Sequence, residues 1–380
     1  MKTVGIIVEY NPLHNGHLYH IQETRRLSGC DTLICVMSGN FTQRGEPAII
    51  DKFTRTRMAL NNGIDLVIEL PFVFTVQNAD IFAYTSVSIL NHLGVDEIYF
   101  GSENGDISAL RTLGDVLKSE TYNNLVKTYS KQGFSYPTAS DKAMKDIHPN
   151  NSFDLPNNIL GIQYLLAGEK LDSSISFKTI KRIGTGYYDE INKDTLIQSA
   201  TSIRKYAFNK DDYKSYVPLD VYNFLCENTL VNYESFYPQL KYVLTSHSNI
   251  ELNQIFNISE GFENRLLKVK QFDSVESLIK QVLTKRYTNS KVKRTLAHIL
   301  CNTKKTLLTS FDVPYIRILG MNDAGKNYLN TIKHELTVPL ISKVKEGLHP
   351  YLDHEIRVSK IYSEGLHKDI FKEEIGRLIY

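Results

Sequence analysis

The stretch "VGIIVEYNPLHNGHLYH" (residues 4–20) decides the fold. It starts as an apolar, β-branched run, halts at Asn11-Pro12, and resumes after Asn15-Gly16 with a helical pattern over 15–28. Proline cannot continue a strand ladder, and Asn-Gly permits a tight turn. The reading is a buried strand, a short loop and a helix. Three evenly spaced histidines fall on the loop and helix: His14, His17 and His20. They could bind a metal, bind a phosphate, or lie on a helix face.

The spacing disfavours a metal. Helical zinc pairs are usually i, i+4 with a nearby Glu, as in His-Glu-x-x-His. Here the spacing is three, His14 precedes the helix, and no second His, Cys and Asp cluster completes a ligand set. A phosphate fits better. In an open parallel sheet, ligands bind beyond the carboxyl ends of the strands, where residues 11–17 lie. Gly16 allows close approach of a ligand to the backbone. Free N–H groups and the positive dipole end of the helix would face the crevice. Imidazole donors at His14 and His17 would stabilise charge moving onto a leaving pyrophosphate. A capping or core role suits His20 better than the other two.

Outward from this stretch, β-branched runs recur at 4–10, 32–38, 65–70 and 97–101. Helical segments separate them at 15–28, 48–62 and 75–94. Such alternation predicts βαβ units and a parallel sheet, and nearly continuous apolar runs fit strands covered on both faces. A polar loop at 146–158, a helix at 159–171, a fifth strand at 174–184 and a helix at 201–209 follow. From about 206 the pattern is mostly helical and rich in Tyr, Asn and Lys. The expected class is α/β, a Rossmann-like parallel sheet over 1–205 followed by a mainly helical, basic domain over 206–380.

Composition sets wide limits. The 380 residues, 42% of them hydrophobic, suffice for a sizeable core. No apolar run is long enough to span a bilayer. The N-terminus is broken too early by Glu9 and Pro12 for a secretory signal, so a cytoplasmic location is expected. Cys30, Cys35, Cys226 and Cys301 form no Cys-x-x-Cys pair and read as reduced, mostly buried thiols. Net charge is +2, yet residues 277–311 hold no Asp or Glu. Lys285, Arg286, Lys291, Lys293 and Arg294 in this block suggest a phosphate-backbone surface. A solvated helix face with acidic partners from elsewhere is an equal alternative.

Further elements converge on the crevice. "FGSENG" (100–105) follows strand four, where Gly101 could let adenine or ribose pack on backbone. "PNN" (156–158) offers the Asn157 amide, and "KRIGTGYYD" (181–189) places Arg182 near the end of strand five. "QSATSIR" (198–204) supplies Ser199 and Thr201 hydroxyls at a helix start, with Arg204 one turn in, suited to a triphosphate. Each alone is ordinary turn and cap chemistry; together, in this order, they favour a nucleotide site. Gly-x-x-x-x-Gly-Lys-Ser/Thr, Gly-x-Gly-x-x-Gly after strand one and Gly-x-Ser-x-Gly are all missing. That weighs against P-loop ATPases, dehydrogenases and α/β hydrolases.

"HNGH" with "SATSIR" resembles the HxGH and ISSTxxR-like signatures of the nucleotidyltransferase superfamily. "GIIVEYNPLHNGHLYH", "MSGNFTQRGEPAI", "DLVIELP", "FGSENGD", "LPNNILGIQYL" and "RILGMNDAGKNYL" look more specifically like the tRNA(Met) cytidine acetate ligases. The blocks run from residue 5 to about 329. Ala200 departs from the superfamily, where many members have Ser or Thr.

The resemblance implies that acetate and ATP form acetyl-adenylate and pyrophosphate. The acetyl group then passes to N4 of the wobble cytidine of elongator tRNA(Met). It places ATP contacts on Ile7, Val8, Glu9, Tyr10, Asn11, Pro12, Leu13, His14, Asn15, Gly16, His17, Leu18, Tyr19 and His20, and on Gly101, Asn157 and Arg182. Mg²⁺ is expected with ATP, and His14 and His17 would hold phosphates through the transition state. Arg44 and Lys52 are candidate phosphate or tRNA contacts, or surface charge. Two other readings stay open: a related adenylyltransferase or carboxylate–amine ligase acting on a small molecule, and an RNA-binding module that only senses ATP.

Overall fold

The computed structural model describes residues 1–380 except 150–152, 154, 184–194, 260 and 377. Part of the 146–158 loop, and residues 184–189 of the "KRIGTGYYD" block, therefore lie outside the described residues. The first strand, Thr3–Val8 (β1), pairs in parallel with Thr32–Ser38 (β2) on one side and Glu97–Ser102 (β4) on the other. Leu66–Leu70 (β3) extends the sheet beyond β2, and Ser176–Lys181 (β5) extends it beyond β4, both in parallel. The chain thus winds outward from β1 in one direction and then returns to its other side. The carboxyl ends of β1 and β4 flank the resulting switch point, where such a sheet leaves a crevice.

All of β2 and β3 is buried, as their continuous apolar runs require. Leu33, Cys35 and Met37 face one core and Ile34 and Val36 the other, following the strand period of two. Helices Asn15–Ser28 (α1) and Lys52–Asn61 (α2) link the first three strands. The expected helix at 75–94 is two helices, Phe72–Thr75 (α3) and Ala79–His92 (α4). Side chains occupy the break: Gln77 Nε2 donates to Val73 O at 2.8 Å, and Asn78 Oδ1 accepts from Arg294 at 2.8 Å. Ile107–Lys118 (α5), Glu120–Lys131 (α6), Tyr136–Ile147 (α7) and Pro156–Lys170 (α8) precede β5, and Ala200–Asn209 (α9) comes after it.

The second half supplies α10 (Leu219–Glu227), α11 (Tyr237–Ser246), α12 (Asn249–Asn253), α13 (Phe262–Leu267), α14 (Val275–Val282) and α15 (Asn289–Leu300). It then returns to the sheet. Ile316–Met321 (β6) pairs antiparallel with β3, and Leu340–Ile341 (β7) pairs with β6. Helices α16 (Asp323–Ile332), α17 (Pro350–Leu366) and α18 (Phe371–Glu374) close the chain. Leu278, Val292, Leu296 and Tyr362 share one core with Val4, Ile6 and Leu33, so the sheet and the later helices are packed together across residue 206.

Lys52 lies within this junction, not at the crevice. It is fully buried, with Nζ 2.5 Å from Glu69 Oε1 and 3.0 Å from Glu374 Oε2. Arg317 on β6 bonds the same two carboxylates at 2.6 and 2.5 Å. A lysine so enclosed contacts neither phosphate nor tRNA, which corrects the expectation for Lys52. All four cysteines are free thiols. Among the described residues no helix is long and apolar enough to cross a membrane.

Candidate functional site

The strand–loop–helix stretch folds as a histidine capping box. His14 is extended (φ −142°, ψ 173°) and is the N-cap of α1. Its Nδ1 accepts from Gly16 N at 3.0 Å, while His17 Nδ1 accepts from His14 N at 3.3 Å. The two rings stack with centroids 3.8 Å apart, and Tyr10 meets His17 edge-on at 5.1 Å. The amides of His17 and Leu18 both bond His14 O. Three of the first helical amides are thus already satisfied. The donors offered to a ligand are imidazoles more than free backbone N–H groups, contrary to the sequence expectation.

This geometry fixes the tautomers. A backbone N–H can only donate, so each Nδ1 must present a lone pair, and the proton sits on Nε2. Both rings are therefore neutral. Burial, then the charges of Arg182 and Arg204, lowers His14 to about 3. Burial, then His14, holds His17 well below its usual value, and burial with Arg182 lowers His20 to about 4. The His20 Nε2 is buried without a hydrogen-bond partner, so His20 is not the cap; His14 is. Gly16 is required by the His14 ring: a Cβ there would lie 2.9 Å from His14 Cε1 and 3.2 Å from Ile197.

A pocket opens at the switch point. Ile7, Val8, Glu9, Tyr10, Asn11, His14, Gly16, His17, Tyr19 and His20 line it. So do Gly101, Asn157, Arg182, Ser199 and Arg204, which the fold brings from far along the chain. Pro12, Leu13, Asn15, Leu18 and Thr201 are not among the lining residues. Leu13 is buried in the core beneath the loop. Asn15 Nδ2 ties the helix start to Leu196 O and Ser215 O at 3.0 and 2.9 Å. Ser199 Oγ caps α9 by accepting from Ser202 N. Thr201 Oγ1 accepts from Arg204 at 3.3 Å.

The cations are held by short polar chains. Arg182 Nη1 donates to Asn157 Oδ1 at 3.3 Å, and Asn157 Nδ2 donates to Glu103 at 2.9 Å. A Cβ at Gly101 would press on the Arg182 stem at 3.3 Å. Arg204 Nη1 donates to Asn11 O at 2.8 Å, and its Nη2 lies 3.3 Å from Glu46. Glu9 Oε1 accepts from Gln43 N at 2.6 Å, and burial raises its carboxyl against Arg44, Arg55 and Arg204. Among the described lining residues Glu9 is the only carboxylate. Arg44 lines the pocket too; Gln43, Phe82, Phe100 and Tyr164 also line it and were missed as site residues, although Gln43, Phe100 and Tyr164 fall within the quoted blocks "MSGNFTQRGEPAI", "FGSENGD" and "LPNNILGIQYL". Among the described residues no three His, Cys, Asp or Glu side chains could hold a metal ion.

The acid-free block does not form one open surface. Lys291 Nζ bonds Asn257 O and Oδ1 at 2.8 and 2.6 Å. Lys293 bonds Glu46, and Arg294 bonds Asn78. Of the five residues proposed from sequence, Lys285 and Arg286 are exposed. The others serve internal contacts, with acidic and amide partners contributed from elsewhere in the fold.

The model of the family HIGH Nucleotidyl Transferase matches residues 1–375. A tRNA(Met) cytidine acetate ligase of Bacillus subtilis (strain 168) is 41% identical, covering 96% of this chain and 92% of the relative. One of Thermoanaerobacter sp. (strain X514) is 42% identical over 100% of this chain and 96% of the relative. Two crystal structures of Thermotoga maritima TmcAL superpose closely. The apo form I gives a TM-score of 0.90 at 30% identity and covers 100% of both chains. Form II, bound with alpha-thio ATP, gives 0.87 at 31% identity and covers 96% of this chain and 95% of that one. The chain belongs to the HIGH nucleotidyl transferase family and, within it, to the tRNA(Met) cytidine acetate ligases.

Proposed function

We propose that this protein activates acetate with ATP and transfers the acetyl group to N4 of the wobble cytidine of elongator tRNA(Met). The observation that carries this reading is the stacked, neutral pair His14 and His17 at the switch point, ringed by Arg44, Lys181, Arg182 and Arg204. The relatives' names supply the substrate, and the alpha-thio ATP bound to TmcAL supplies the nucleotide.

In the first step an acetate oxygen attacks the α-phosphorus, and the bond to pyrophosphate breaks. Negative charge moves onto the leaving oxygen. Neutral Nε2–H groups stabilise it as preorganised donors, and the guanidinium groups supply opposite charge. In the second step N4 attacks the acetyl carbonyl carbon, AMP leaves, and N4 gives up one proton. Glu9, kept basic by burial, is the lining carboxylate that would accept it. A single lining carboxylate makes a poor metal cage, so Mg²⁺ would enter on the triphosphate. Exposed Lys285 and Arg286, between α14 and α15, would meet the tRNA backbone, and the reaction would take place in the cytoplasm.

The test is incubation with ATP, labelled acetate and bulk tRNA, followed by nucleoside analysis. Label in N4-acetylcytidine is expected. Acetate-dependent pyrophosphate release with no label in RNA would reassign the protein to a small-molecule substrate. No turnover of ATP would remove the ligase reading.

A further inference from the structure

Beside the pocket, three charged side chains form a chain that joins the two halves of the sequence. Arg204, on α9, reaches the pocket; its Nη2 lies 3.3 Å from Glu46 Oε2. The other oxygen of Glu46 takes Lys293 Nζ, from α15. The side chains are 18%, 26% and 22% exposed in that order, so water screens them only partly. Glu46 itself does not line the pocket.

The backbone on both sides is fixed. Thr42 N donates to Glu46 O and Gly45 N to Thr42 O, each at 2.8 Å, closing a turn. That turn is docked on α15: Tyr233 Oη lies 2.6 Å from both Gly45 O and Lys293 O. Glu46 therefore cannot drift from Lys293 without moving the helix. Burial would raise the Glu46 carboxyl, but Arg204 and Lys293 outweigh it and keep it ionised.

We propose that Glu46 is a positioning residue for Arg204, and that Lys293 sets how strongly Glu46 competes with a bound triphosphate for it. Two cations share one carboxylate. With Lys293 on one oxygen, Glu46 orients Arg204 yet releases it readily to phosphate. Without Lys293, Glu46 holds Arg204 at full strength and ATP must displace it. Without the Glu46 charge, Arg204 attracts the polyanion freely but loses its aim. Lys293 is thereby assigned to the nucleotide site, not to a tRNA surface.

The proposal rests on reading the pocket as a nucleotide site, and the experiment separates the two. ATP Kd is measured by calorimetry without acetate, and acetate-dependent pyrophosphate–ATP exchange gives the turnover. The proteins are full-length wild type, Lys293→Met, Glu46→Gln and Glu46→Asp. Lys293→Met should raise the ATP Kd by roughly three- to tenfold. Glu46→Gln should leave Kd unchanged or lower, while exchange kcat falls by about tenfold; Glu46→Asp should recover part of that loss. Both single variants raising Kd together, as general loosening would, overturns the proposal, as does an unchanged Kd in Lys293→Met. That second variant decides the matter if Glu46→Gln does not fold. Wild type that binds no ATP overturns the nucleotide reading itself.

Discussion

His14 does two things that a substitution can separate. Its Nδ1 caps α1, which leaves Nε2–H as the ring's donor, and the residue lines the pocket. Asparagine is among the best N-caps, so His14→Asn keeps an acceptor for the helix amide but loses the ring donor. Stability should stay within about 1 kcal/mol of wild type, whereas acetate-dependent pyrophosphate exchange should fall by roughly 10²–10³-fold, as for loss of a transition-state donor. Thermal unfolding and exchange rates measured on the same preparation check this. Wild-type exchange in His14→Asn would reduce His14 to a cap. Both roles follow from a three-residue spacing that argued against a metal in the sequence but did not show which nitrogen would be tied down.

At the scale of elements, the sequence showed most of the sheet. β1, β2, β3 and β4 fall within a few residues of the apolar runs, because strands buried on both faces must be apolar throughout; β5, at the sheet edge, mixes buried and exposed residues and lies within the expected 174–184. β6 did not stand out, because its short run follows a basic helical stretch and its partner lies on β3. Lys52 misled for a related reason: Glu374, its distant partner, is 322 residues away. The docking of the 41–47 turn on α15 was equally invisible, since only the fold brings them together. That contact makes Gly45 sensitive. It sits at φ +83°, and a Cβ there would lie 2.5 Å from Arg294 Cα and N, backbone atoms that cannot move aside cheaply. Gly29 is the control, at φ +61° with open space around it. Gly29→Ala should cost about 1–2 kcal/mol, the price of a left-handed non-glycine residue. Gly45→Ala should cost roughly 2–3 kcal/mol more, in the range of overpacking, and should weaken ATP binding as Gln43 and Glu46 shift. Equal denaturant midpoints for the two variants would mean that the turn is not pinned by α15.

For the whole molecule, the buried cluster of Lys52, Glu69, Arg317, Glu355 and Glu374 ties α2, β3, β6, α17 and α18 together, and it shapes the response to pH. Burial would raise Glu374, but Arg317 and Lys52 outweigh it and hold it at about 2. Its contribution is present above the ordinary carboxylate range and is lost as pH falls through that range toward 2. Glu355 behaves oppositely. Burial, then the Glu69 charge, raises it to about 8; its Oε1 accepts from Phe72 N, while Oε2 has no hydrogen-bond partner. The fold keeps a proton there that the unfolded chain releases above the ordinary glutamate value of 4.5, so stability is lost as pH rises from 4.5 to 8. Buried histidines act on the acid side. His14, His298 and His354, lowered to about 3 chiefly by burial, stay neutral in the fold. Unfolding lets them bind protons below about 6.5, so stability also falls with acid. The buried histidines outnumber the two raised carboxyls, Glu9 and Glu355, and dominate below that point, while Glu355 opposes above it. Stability should therefore peak near neutrality and decline toward pH 8. Glu355→Gln keeps an acceptor for Phe72 N and removes the titration. Its unfolding free energy should gain on wild type between pH 6 and 8 by roughly 2 kcal/mol, since one proton over two pH units at about 1.4 kcal/mol per unit allows little more. Parallel curves for the two proteins across that window, in denaturant titrations at fixed ionic strength, would show that Glu355 does not carry the proton.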